Sequence, residues 1–116
     1  MLSKVKVINL KEIYNPAGSV IKYLDKKNKN FLSFGEIYFS EIKKGYEKGW
    51  NLHKKYKSII TVPYGKVEFC CMNLSKTKKR IFKIGRKKPS LIIIPPKVWF
   101  KFKSLTKISV IVNMIN

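Results

Sequence analysis

Short runs of β-branched and aromatic residues, each closed by a turn signal, constrain this chain more than any other feature of it. They fall at residues 5–10, 31–42, 56–62, 66–73, 80–84, 91–94, 98–103 and 109–115. Side chains branched at Cβ and ring side chains fit a pleated, half-buried surface, so each run is expected to be a strand. Gly45 and Gly49 frame one loop, Pro63-Tyr64-Gly65 is expected to make a tight hairpin connection, and further turns fall at residues 75–79, residues 85–90 and Pro95-Pro96. A helix needs apolar residues three and four positions apart over about a dozen residues. Only residues 15–26 suggest this, and Pro16 and Gly18 stand near their start. The expectation is an all-β sandwich or barrel with almost no helix.

At 116 residues the chain fits a single domain, residues 1–116, and 45% hydrophobic residues can fill one core. No stretch approaches the roughly 20 apolar residues of a membrane helix, and the N-terminus lacks the apolar core of a secretory signal. A cytoplasmic protein without membrane contact is expected. Cys70 and Cys71 are adjacent in a strand-like run, so their side chains should point to opposite faces and stay as two buried thiols. By the same alternation Tyr38 shares a face with Glu36, and Phe69 with Cys71 and Asn73.

The net charge of +20, from 26 Lys and Arg against 6 Asp and Glu, bears on partners. No acid follows Glu68, whereas Lys76, Lys78, Lys79, Arg80, Lys83, Arg86, Lys87 and Lys88 crowd one region of expected turns. Lysine dominates over arginine alongside abundant Asn and Ile, the composition of an AT-rich coding sequence. The charge is read first as a solvated basic face, then as affinity for a phosphate-bearing ligand, and last as a nucleic-acid surface, because no interleaved basic and aromatic pattern accompanies it.

One histidine cannot supply the two or three imidazoles that a first-row metal wants in a barrel, so no metal and no cofactor is expected. There is no Gly-rich phosphate loop and no G-x-S-x-G, and neither cysteine has a second histidine to activate it. What remains is the segment Gly45-Tyr46-Glu47-Lys48-Gly49-Trp50-Asn51-Leu52-His53-Lys54-Lys55, the later Gly65-Lys66-Val67, and Ile94-Pro95-Pro96-Lys97-Val98-Trp99-Phe100-Lys101-Phe102.

These motifs, in this order, resemble the small RmlC-like cupins that act on nucleotide-linked 4-keto-6-deoxy sugars. Two branches are similar: the dTDP-4-dehydrorhamnose 3,5-epimerases with their relatives, and the WxcM-like dTDP-sugar 3,4-ketoisomerases. The resemblance implies a cupin, a double-stranded β-helix jelly roll, that pairs as a homodimer and takes a dTDP-sugar as its ligand. It places His53 in the barrel as the catalytic base. Tyr38, Lys48, Trp50, Asn51, Tyr64, Trp99, Lys101 and Asn113 become candidate substrate contacts, with Lys48 or Lys101 facing a diphosphate and Trp50, Trp99 or Tyr64 stacking on a base or sugar.

The chain also departs from the family pattern. Asn51 stands at the first of two histidine positions, Phe100 where the epimerases carry a histidine, and Asn113 near their tyrosine acid. The ketoisomerase branch is closer in its H-K-K and I-P-P-x-x-W features. The function implied is enolisation of a dTDP-linked 4-keto-6-deoxy sugar, by epimerase or ketoisomerase chemistry, in deoxysugar biosynthesis. The alternatives are a cupin that only binds a nucleotide sugar, and a basic nucleic-acid-binding β-barrel.

Overall fold

Period-two alternation yields the expected strands, and the computed structural model, which describes residues 2–116, assembles them into facing antiparallel sheets. In chain order the strands are β1 (Lys6–Asn9), β2 (Glu12–Ile13), β3 (Val20–Ile21), β4 (Glu36–Lys43), β5 (Glu47–Leu52), β6 (Ser58–Tyr64), β7 (Lys66–Met72), β8 (Lys79–Gly85), β9 (Ser90–Ile94), β10 (Trp99–Ser104) and β11 (Ile108–Ile115). A five-stranded sheet runs β1-β9-β6-β11-β4 and a four-stranded sheet β5-β10-β7-β8, while β2 and β3 pair apart. Among the described residues the one helical element is a 3-10 turn at Leu2–Lys4. Residues 15–26 form turns and β3 instead of a helix, with Gly18 at φ 137°.

From β4 onward the chain passes back and forth between the sheets, and only β7 and β8 are joined as a hairpin. This is a jelly roll. It corrects the expectation that Pro63-Tyr64-Gly65 closes a hairpin: β6 and β7 lie in different sheets, so the tripeptide is a corner. Gly65 turns it at φ 85°, where a Cβ would sit 2.4 Å from the Ser109 hydroxyl. Pro63 sits beside a register shift between β6 and β11, where its missing N–H breaks no regular ladder.

Between the sheets Ile60, Ile92 and Ile94 meet Val67, Phe69 and Phe100 in the main core. Burying each such side chain is worth about 1.5–3 kcal/mol. A second cluster lies on the outer face of the larger sheet, where Ile59, Leu91, Ile93 and Met114 are covered by Tyr23, Leu24 and Phe31. The Tyr23 hydroxyl donates to the Ile59 carbonyl at 2.6 Å, and burial pushes its pKa up to about 12. Cys70 and Cys71 are both free and buried, and burial pushes the Cys71 thiol up to about 12, so it stays an unreactive thiol.

Candidate active site in the barrel

The cavity that matters for function is a consequence of strand register. In the larger sheet Asn113 of β11 pairs with both Tyr38 of β4 and Ile60 of β6, and Ile111 pairs with Ser40. Residues directly opposite one another share a face, so these side chains form one wall. In the smaller sheet Phe100 pairs with Asn51 and Phe102 with Lys48, which form the other. His53, just past β5, closes the gap. Together these groups line a space of about 250 Å³.

Strict alternation along β5 would put Lys48 and Asn51 on opposite faces, because they are three residues apart. A register shift against β10 resolves this: Phe100 to Phe102 spans two residues, and Asn51 to Lys48 spans three. The extra residue is a β-bulge at Gly49 and Trp50, and it aims both Lys48 and Asn51 inward. Gly49 has φ 128°, and a Cβ there would come 2.8 Å from the Lys101 Cα. Only glycine fits this approach.

His53 is half-buried, its ring 6.0 Å from the Phe100 ring. Its carbonyl accepts a hydrogen bond from the Lys97 N–H at 2.8 Å, so the turn after Pro95-Pro96 fixes the backbone that carries the imidazole. Across the cavity the Asn113 amide donates to the Tyr38 hydroxyl oxygen at 3.0 Å and to the Ser58 hydroxyl at 3.4 Å. Because that oxygen accepts from Asn113, its own O–H remains free to donate into the cavity. The Asn113 side-chain oxygen is buried without a hydrogen-bond partner.

Against this geometry, a family described as WxcM-like, C-terminal matches residues 3–116. The chain belongs to that family. Among solved structures, a dTDP sugar isomerase from Desulfovibrio desulfuricans G20 is similar at 25% identity and TM-score 0.91, over 98% of this chain and 77% of that one. The sugar 3,4-ketoisomerase QdtA from Thermoanaerobacterium thermosaccharolyticum, in complex with TDP, is similar at 22% identity and TM-score 0.84, over 99% and 82%. RmlC, a dTDP-6-deoxy-D-glucose-3,5-epimerase from Legionella pneumophila Philadelphia 1 in complex with dTDP-4-keto-L-rhamnose, is similar at 15% identity and TM-score 0.86, over 96% and 65%. No curated protein matches the sequence. The fold is that of the RmlC-like cupins.

Of the contacts expected from the sequence, this WxcM-like barrel gathers Tyr38, Lys48, Asn51, His53 and Asn113 around one cavity. Trp50, Tyr64, Trp99 and Lys101 lie outside that lining. Lys101 stands 4.8 Å from the Trp50 ring and pairs with Glu47 at 3.3 Å, and Trp99 lies under Lys76 at 5.3 Å. The bulge that turns Asn51 inward turns Trp50 away. Tyr64 is at the far end of β6, against a different hollow. Sequence reasoning missed Ser40, Ile60, Phe102 and Ile111 as wall residues, although Ser40 follows Tyr38 at period two. Among the described residues no three His, Cys, Asp or Glu side chains come together, and no helix is long and apolar enough to cross a membrane.

Proposed function

We propose that the cavity enolises a dTDP-linked 4-keto-6-deoxy sugar in deoxysugar biosynthesis, with His53 as the base. The observation that carries this reading is the presence of the His53 imidazole and the Asn113-held Tyr38 hydroxyl around one cavity of an RmlC-like barrel. A proton next to a ketone is removable when a base lies within reach and a donor stabilises the enolate oxygen. His53 takes the proton from C3, the C–H electron pair forms the C3–C4 double bond, and the carbonyl pair moves onto O4. The Tyr38 O–H donates to O4 as charge builds there. If that proton passes to O4, the Tyr38 oxygen takes up the O3 proton and His53 returns its own to C4, the ketone moves to C3. If the proton returns to C3 on the other face, the product is the epimer. Both outcomes conserve atoms and electrons and need no cofactor.

With Asn51 at the first imidazole position, a single ring must handle the proton. One base can shuttle a proton between C3 and C4, whereas inversion at two centres needs acids and bases on both faces of the sugar. The geometry therefore favours the ketoisomerase outcome. Lys48 supplies a cation near the developing charge or the diphosphate. The same reading takes a cytoplasmic setting and a homodimer. β4 supports the latter: it is an eight-residue edge strand with Ile37 51% and Phe39 73% exposed, and such edges are ordinarily paired or covered.

The test is to incubate the protein with dTDP-4-keto-6-deoxyglucose in deuterium oxide and follow the sugar protons by NMR. Loss of the C3 proton, with accumulation of the 3-ketone carrying deuterium at C4 and deuterium at C3 of the recovered substrate, is expected. Ligand-induced thermal stabilisation without exchange would replace the enzyme by a binding protein, and neither effect would end the reading altogether.

A further inference from the structure

A second hollow, of about 680 Å³, lies away from the barrel cavity. β6 contributes Ile60 to the cavity and Tyr64 to this hollow, four residues or about 13 Å further along the strand. Here the sheet-switching connections gather: the Gly65 corner, the β8–β9 turn and the β10–β11 turn at Thr106. Val7, Ile84 and the Tyr64 ring give the hollow an apolar lining, and Lys66, Lys83, Arg86, Lys87 and Lys88 surround it. The lining contains no acid. Among the described residues the one carboxylate paired with these cations is Glu12, 3.4 Å from Arg86, in an ion pair too exposed to contribute much.

The cations sit on an anchored frame. The Arg86 N–H donates to the Gly65 carbonyl at 3.0 Å, the Leu10 N–H donates to the Pro89 carbonyl at 2.9 Å, and Gly85 bridges Lys88. Gly85 is packed so closely on the corner that a Cβ would lie 3.0 Å from the Gly65 oxygen. The turn holding Arg86, Lys87 and Lys88 is thus tied at both ends and across its middle, and its like charges are held together with only the exposed Glu12 pair on Arg86 to offset them. A polyanion relieves that repulsion, and a frame ordered in advance lowers the entropic cost of holding one. A bare phosphate would leave the apolar lining and the 60%-exposed Tyr64 ring unused.

We propose that this hollow is a second ligand site, separate from the barrel cavity, which binds a nucleoside polyphosphate: phosphates on the Arg86–Lys88 turn with Lys66 and Lys83, and the base against Tyr64. The arrangement matches the usual form of small-molecule sites, an apolar concavity with a few convergent charged groups.

The test is calorimetric titration of the full chain with ATP, tripolyphosphate, adenosine and a single-stranded oligonucleotide, at low and physiological salt. ATP is expected to bind more tightly than tripolyphosphate, and adenosine weakest. The double variant Lys87→Glu/Lys88→Glu, on an exposed turn, should weaken ATP by roughly tenfold or more and leave sugar-nucleotide exchange intact. Tyr64→Ala should weaken ATP but not tripolyphosphate. Unchanged ATP affinity in the double variant, or its loss in Lys48→Ala, would place the nucleotide elsewhere and overturn the proposal. Equal binding of ATP and tripolyphosphate would remove the base from it. Affinity that rises steadily with oligonucleotide length would make the surface a nucleic-acid interface instead.

Discussion

The barrel cavity and the basic hollow have only β6 in common and share almost no chemistry. The cavity is small, walled by Phe100, Phe102, Ile60 and Ile111, and carries one imidazole, one ammonium and a hydrogen-bonded Tyr38–Asn113 pair. The hollow is larger, and its polar character is mostly cationic. Proton transfer needs a base that is neutral part of the time and a donor held at a fixed spot, which crowded lysines do not provide. Phosphate recognition needs the reverse. On the proposed reading the excess charge that dominates the composition does not locate the reactive centre, and the lone histidine among 116 residues locates it better.

The sharpest way to break this division is His53→Ala. Loss of the base should slow C3 deuterium exchange by about 10²–10⁴-fold while leaving ligand-induced stabilisation and ATP titration as in the parent. If exchange persists, the base lies elsewhere and the cavity is misassigned. Gly49→Val is next, with an expected cost of about 2–3 kcal/mol read as a lowered midpoint in urea. The side chain is driven into Lys101, and Lys48 and Asn51 cease to face inward together, so exchange should fall even where the variant is folded, with ATP binding retained. Normal exchange in a folded Gly49→Val protein would show that the bulge does not shape the cavity.

The smallest effect is expected from Tyr23→Phe, which touches neither site. Loss of the hydrogen bond to the Ile59 carbonyl should cost about 1 kcal/mol near neutral pH. In the parent the Tyr23 pKa is raised from 10.0 to about 12, so the fold favours the neutral phenol. That contribution is fully present below pH 10 and is lost as pH climbs from 10 to 12. The variant should lose stability less steeply than the parent over that window; equal slopes would mean that Tyr23 is not held neutral by the fold.

Most strands were legible because their residues are β-branched or aromatic and their neighbours are turn formers. β9 reads as an unbroken apolar run because both of its faces are buried. β5 reads as part of a loop in the sequence, because Glu47, Lys48, Gly49 and Asn51 have poor strand propensity; only pairing with β10 and a bulge make it a strand. The partner sheet of β7 was hidden for a related reason, since Pro63-Tyr64-Gly65 has the composition of a hairpin and a corner alike. In the cavity, the sequence alone points to Tyr38, Lys48, Asn51, His53 and Asn113. Trp50 and Lys101 have the chemistry of ligand contacts, which says nothing about the face a bulge gives them. The apolar wall at Ile60 and Ile111 carries no chemical signal, and only three-dimensional register reveals it.

The covering of the larger sheet by Tyr23, Leu24 and Phe31 has a consequence for how freely the chain can vary. Ile59, which they cover, and Ile60, which lines the cavity, are consecutive residues of β6 on opposite faces. A change of bulk outside the barrel, at Leu24 for example, reaches the cavity wall through a single peptide unit. The N-terminal segment lies outside the cavity, yet on the proposed reading it sets the position of the surface against which a substrate would fit. If the proposed function holds, drift in that segment is filtered by specificity as well as by stability.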